Sequence, residues 1–115
     1  MAELAAAECT PCREGAPTLT EEEIAELHLE VPRWQVIERE GEKRITRTFS
    51  FENFREALTF TNRVGEMAEE QGHHPKIVTE WGSVEVTWWT HKIGGLHEND
   101  FIAAAKTDQI YDEMT

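Results

Sequence analysis

Residues 72–95, GHHPKIVTEWGSVEVTWWTHKIGG, decide the fold. Lys76 to Trp81 and Val84 to His91 are rich in β-branched and aromatic residues, with a tight Gly82-Ser83 pair between them, so the segment is predicted to be a β-hairpin. Successive side chains alternate across a strand. Val84, Val86 and Trp88 therefore share one face of the second strand, while Glu85, Thr87, Trp89 and His91 share the other. One face belongs to a core and the other is open.

Reading outward, the segment from about Phe51 to Gln71 is the longest helical pattern in the chain, with Ser50 as its expected cap. Its apolar positions form two stripes: Phe54, Leu58, Thr61, Gly65 and Ala68 on one, Phe60, Val64 and Met67 on the other. Together they cover an arc wider than the ~100° stripe of an ordinary surface helix. Either the helix is deeply buried, or one stripe packs on its own sheet and the next on a partner subunit. Farther upstream, Trp34 to Glu38 and Arg44 to Phe49 read as a second hairpin about Gly41. Before it, Thr20 and Glu23 fit a capping box, with Leu19 and Ile24 as a hydrophobic staple, opening a helix that ends near Leu29 before Pro32. Downstream, Gly94-Gly95 break the pattern, and a last helix ends near Met114, with Asp100 at its N3 position and Leu96 and Phe101 as its staple. The order αββαββα with short links predicts an α+β fold, a four-stranded antiparallel sheet with three helices on one face. Residues 1–18, with Pro11, Gly15 and Pro17, are predicted to form an extended N-terminal arm, and residues 19–115 a single domain.

At 115 residues and 39% hydrophobic content, the chain has material for one core. Its formal charge of -12 repels the phosphates of nucleic acid and anionic membrane surfaces, so neither is an expected partner. The opening MAELAAAECTPC lacks a basic stretch, and no apolar run approaches the ~20 residues of a membrane span, so a cytoplasmic location is expected. Cys9 and Cys12 form a lone C-x-x-C, half a zinc site at best and outside the helix start that a redox motif requires.

The chemistry gathers around the histidines. His73 and His74 are neighbours, and Pro75 pushes His74 out of the helical region and fixes a bend. Glu69, one helical turn before His73, is placed to set the tautomer of that imidazole. A hairpin turning at Gly82-Ser83 pairs positions summing to about 165, which sets His91 beside residue 74. Three imidazoles and a carboxylate at one end of a sheet suit general acid-base work, since imidazole titrates near pH 6.5 and a positioned group contributes about 10²–10⁴ in rate. Three histidines also suit a zinc ion, and a purely structural cluster is the third reading.

The spacing is more specific. Glu69-x-x-x-His73-His74-Pro75, then Trp81, His91 and Asp100, resembles the signature of the pterin-4a-carbinolamine dehydratases, and so do GGLHENDFIAAAK, CTPC with its Leu-Thr-Glu-Glu helix start, and Trp34. The resemblance runs from about Cys9 to Tyr111. It implies the same αββαββα fold, no metal or organic cofactor, and a homodimer or homotetramer joined through the sheet edge and helix 51–71. The implied reaction is loss of water from a 4a-hydroxytetrahydropterin to give the quinonoid dihydropterin, a recycling step linked to an aromatic amino-acid hydroxylase. His73 and His91 match the acids for the leaving hydroxyl, His74 the residue that orients the pterin, and Glu69 the supporting carboxylate. Trp34 and Trp81 match aromatic positions that either wall the pocket or fill the core. Asp100 belongs to the signature, although a capping role already accounts for it, and Thr90 and Gly95 are further pocket candidates. His97 departs from the threonine or serine that usually opens this helix and is expected to cap it, while Trp89 is bulky for its position. A rival reading is a non-catalytic module, since relatives of this fold serve as a dimerisation cofactor or an assembly chaperone.

Overall fold

The computed structural model describes residues 2–10 and 17–115. Two hairpins supply the sheet. β1 (Gln35–Arg39) and β2 (Glu42–Ser50) are joined by Glu40 and Gly41, both at positive φ (55° and 79°), the type I′ backbone that matches strand twist. β3 (Lys76–Glu80) and β4 (Ser83–Trp88) are joined by Trp81 and Gly82, the glycine at φ 80°. β2 pairs with β4, so the strand order is β1-β2-β4-β3, antiparallel throughout. Three helices, α2 (Glu21–His28), α3 (Phe54–Gln71) and α4 (Glu98–Met114), follow the expected order, and the fold is α+β.

The inward face of the sheet, Ile45 and Phe49 of β2 with Val84, Val86 and Trp88 of β4, is buried under Phe60 and Val64 of α3 and Phe101 and Ala104 of α4. Each such large side chain contributes about 1.5–3 kcal/mol by leaving water. Phe49 is the hinge of the packing, 4.7 Å between ring centres from Phe60 and 5.0 Å from Tyr111. Both capping boxes form. Thr20 Oγ1 accepts from the Glu23 N–H at 3.1 Å while Glu23 Oε1 accepts from the Thr20 N–H at 2.8 Å. At α4, His97 is the cap, its Nδ1 accepting from the Asn99 N–H at 3.0 Å. No helix among the described residues is long and apolar enough to cross a membrane.

Several expectations need correction. The first residues are not wholly extended: Ala2–Ala6 form a short helix, α1, packed on α4 with Leu4 buried, because one leucine finds an apolar groove there. Pro11, Cys12 and Gly15 of that arm lie outside the described residues. α3 is capped by Asn53, whose Oδ1 accepts from the Glu56 N–H at 2.8 Å, and not by Ser50, which is held in β2 opposite Ser83. In α3 the buried residues are Ala57, Phe60, Val64 and Ala68, while Phe54 and Leu58 are 43% and 41% exposed. The helix therefore has one core stripe and one open stripe. In the β3–β4 hairpin, Lys76 faces Thr87, two positions from the expected register, because the loop is Trp81-Gly82. β4 ends at Trp88, and His91 begins a 3-10 turn (His91–Ile93) closed by the Thr90–Gly95 bridge.

Candidate active site

The end of α3 sets the first histidine. Gly72 adopts the left-handed conformation (φ 65°), its N–H reaching the Glu69 carbonyl at 3.2 Å, and the His73 N–H reaches back to the Ala68 carbonyl at 3.2 Å. This is the double closure of a helix end that glycine permits. His73 is thus fixed where the chain leaves the helix. Its ring stacks on Trp88, with centres 5.5 Å apart and planes 12° off parallel.

His73 Nε2 lies 2.6 Å from Asp100 Oδ1. Asp100 is fully buried, and its other oxygen accepts from Thr90 Oγ1 at 2.9 Å and from the His97 N–H at 2.9 Å. A carboxylate can only accept, so the Nε2 facing it carries a proton, and Nδ1 is the ring nitrogen left for a substrate. Asp100 is therefore both the N3 residue of the α4 capping box and the orienting partner of His73. The carboxylate expected in that role, Glu69, instead meets His74 Nε2 at 2.5 Å, in a pair whose side chains are 78% and 62% exposed. The i,i+4 rule fails here because the helix ends at Gln71, before His73 is reached.

His73, His74, Thr90 and His91 line a common cavity of about 400 Å³. The three imidazoles thus do come together, although His91 arrives on the 3-10 turn and not on a strand; its ring sits 4.4 Å from that of Trp89. Trp89 in turn is covered by the Arg44 guanidinium, 3.9 Å from its ring centre. Among the described residues, no three His, Cys, Asp or Glu side chains are grouped to hold a metal ion.

Three sequence candidates lie elsewhere. Trp34 is buried in the core, its Nε1–H donating to Asp108 Oδ1 at 2.8 Å and its ring edge-on to Phe49. Trp81 stands in the two-residue hairpin loop at the other end of β3, where a side chain belongs to neither sheet face, and is 74% exposed; it is neither core nor pocket. Gly95 turns its backbone to Thr90, its carbonyl accepting the Thr90 N–H at 2.9 Å, and its α-carbon faces Thr18; it is not among the residues lining the histidine cavity. Conversely, Cys9, Thr10, Gln71 and Asn99 also line the cavity, beyond the residues that the sequence points to. Gln71 and Asn99 arrive beside His73 and Asp100 in the chain, whereas Cys9 and Thr10 are held there by contacts between residues far apart in the chain, which no local spacing signals.

A polar cluster sits apart from the cavity. Arg47 Nη1 donates to Asp108 Oδ1 at 2.6 Å and its guanidinium lies over the Phe49 ring. Burial raises the Asp108 pKa, outweighing the opposing hydrogen bond from Trp34 and the charge of Arg47.

Comparison with known proteins points to one family. The profile of the family described as pterin 4 alpha carbinolamine dehydratase matches residues 17–110. A relative from Chlorobium luteolum, provisionally named a pterin-4-alpha-carbinolamine dehydratase, is 53% identical over 114 residues, covering 99% of this chain and 100% of its own. Another with the same provisional name, from Nitrosococcus oceani, is 57% identical over 110 residues, covering 96% and 97%. Among solved structures, a transcriptional coactivator/pterin dehydratase from Brucella melitensis superposes with a TM-score of 0.76 at 34% identity, over 83% of this chain and 99% of that one. A pterin dehydratase-like RuBisCO assembly factor of the alpha-carboxysome shares the fold, with a TM-score of 0.58 at 20% identity, over 68% and 88%. With the profile spanning most of the chain and relatives above half identity along its length, the chain belongs to the pterin-4-alpha-carbinolamine dehydratase family.

Proposed function

We propose that the protein is a 4a-hydroxytetrahydropterin dehydratase that works by histidine acid-base catalysis without a cofactor. The observation that carries this is the His73–Asp100 pair, buried on its carboxylate side and opening onto a cavity that His74 and His91 share. The N5 lone pair of the substrate expels the C4a hydroxyl, which leaves as water once protonated, and N5 then loses its proton to give the quinonoid dihydropterin. The step needs a donor at the hydroxyl and an acceptor for the N5 proton, and no nucleophile. An imidazolium at His73, stabilised by Asp100, supplies the proton on one face of the ring; His91 serves the other face. His74 orients the pterin, and Glu69 holds His74. This is the recycling step that follows an aromatic amino-acid hydroxylase, and its setting is cytoplasmic. The test follows the absorbance of freshly generated 4a-hydroxytetrahydropterin, whose decay the folded protein accelerates if the reading holds and leaves at the buffer rate if it fails.

Self-association belongs to the same reading. Phe54 and Leu58 form the open stripe of α3, and Val78 on edge strand β3 and Trp81 beyond it are also exposed. Thr61 of α3 meets Thr79 of β3 at 2.7 Å, so this stripe runs alongside that edge. Such a surface favours a homodimer or homotetramer built on helix α3 and the sheet edge. A non-catalytic binding or assembly role is the alternative. Variants of His73 and His91 discriminate, since they slow dehydration and leave a binding role intact.

A further inference from the structure

We propose that Cys9 and Thr10 are a built wall of the pterin pocket, and that Asn99 and Gln71 are positioning residues that hold this wall against the histidines. The inference rests on the dehydratase reading and deepens it. Asn99 is 3% exposed and grips the backbone of Thr10 from both sides. Its Oδ1 accepts the Thr10 N–H at 2.9 Å, and its Nδ2–H donates to the Thr10 carbonyl at 2.6 Å, the pairing one strand makes with another. Gln71 Oε1 accepts the Cys9 N–H at 2.9 Å, and the Cys9 thiol lies 3.7 Å from the Asn99 carbonyl.

The two amides belong to the helices that present the His73–Asp100 pair. Gln71 precedes Gly72 and His73 at the end of α3, and Asn99 immediately precedes Asp100 in the first turn of α4. The two elements that carry the His73–Asp100 pair thus each extend one amide to the same two-residue stretch. That stretch and the imidazoles line one cavity. Attachment of the arm to the domain does not require this grip. Leu4 is already buried against the core, and Lys106 Nζ donates to the Ala5 carbonyl at 2.8 Å and pairs with Glu8 at 3.7 Å. The apolar anchor fastens the arm; the amide clamp sets its distance from the reacting ring. A wall that contacts the bound substrate and the transition state alike contributes uniform binding, which appears in KM and not in kcat.

The test combines kinetics with amide exchange. In the intact chain, Asn99→Ala removes both Thr10 bonds, Gln71→Ala removes the Cys9 bond, and Thr10→Pro removes, together with the threonine side chain, the single N–H that Asn99 Oδ1 accepts, while leaving both clamping amides in place. KM for 4a-hydroxytetrahydropterin and Kd for a stable dihydropterin lacking the 4a-hydroxyl are measured for each. Both are expected to rise about tenfold in Asn99→Ala, the scale of one or two net hydrogen bonds, and less in the other two, with kcat within about threefold of wild type. In the wild type, the dihydropterin is expected to slow exchange of the Cys9 and Thr10 amides, and Asn99→Ala abolishes that protection. Unchanged KM and Kd in folded Thr10→Pro and Gln71→Ala, or amide exchange indifferent to the dihydropterin, overturns the proposal even if the wild type dehydrates. If the wild type binds the dihydropterin with this protection but does not dehydrate, the wall stands and the dehydratase reading falls.

Discussion

Asp100→Asn isolates the chemistry from the fold more cleanly than removal of a histidine. The wild-type carboxylate accepts three hydrogen bonds, one at Oδ1 from His73 and two at Oδ2 from Thr90 and the His97 N–H. Asparagine has the same shape but a single acceptor oxygen. Keeping the two bonds of the cap turns its NH₂ toward His73 Nε2, which must then accept; the ring proton moves to Nδ1, and the negative charge facing the imidazolium is lost. The cost to the fold is one charge-assisted hydrogen bond, about 1.5–3 kcal/mol, within the roughly 5–15 kcal/mol typical of a domain. The cost to the reaction is what a positioned and stabilised proton donor contributes, about 10²–10⁴ in kcat, or about 3–5 kcal/mol of barrier. The assay is the decay of 4a-hydroxytetrahydropterin under saturating conditions, beside a thermal melt of the same preparation. A folded variant that keeps kcat within about threefold of wild type would refute the reasoning, since neither tautomer nor charge would then matter at His73.

Other consequences follow from the same contacts. His74→Ala is expected to raise KM more than it lowers kcat, and Glu69→Gln to have a smaller effect, because the pair is exposed and worth at most about 1 kcal/mol; steady-state kinetics of the two variants check this. Burial raises the pKa of Asp108 from 3.8, so the folded state holds its proton more tightly than the unfolded state does. The stability contribution of Asp108 is therefore fully present below the unfolded value and is lost as pH rises through the folded one; urea titrations of wild type minus Asp108→Asn across that window should fall with pH. Leu58→Glu places a charge in the open stripe of α3 and is expected to reduce the sedimenting mass to that of a monomer, while an unchanged mass would remove that stripe from any assembly.

The parts of the fold that rest on local rules were legible in the residues. Period-two alternation marked both hairpins, and Thr20 with Glu23 and His97 with Asp100 announced two helix starts that form with their reciprocal hydrogen bonds. The convergence of His73, His74 and His91 was legible too, although the register was displaced by two positions and β4 stopped short of His91. What stayed hidden depends on tertiary geometry. Spacing alone pairs Glu69 with His73, but the left-handed Gly72 ends the helix first and hands Glu69 to His74. A capping aspartate is visible in sequence, whereas its other oxygen reaching His73 across 27 residues is not. Likewise tryptophan has no local mark that separates a core position, Trp34, from a loop tip, Trp81. The arm residues Cys9 and Thr10 are held at the cavity by side-chain amides 62 and 89 positions away.

The most direct test of the central claim is the decay rate of 4a-hydroxytetrahydropterin with wild type, His73→Ala and His91→Ala at equal concentrations of folded protein. The expected result is clear acceleration by the wild type and a loss of about tenfold or more in each variant, near the low end of what a positioned imidazole contributes. Wild-type acceleration that survives both substitutions would contradict the assignment of the proton transfers to these two histidines, and no acceleration at all would contradict the dehydratase itself.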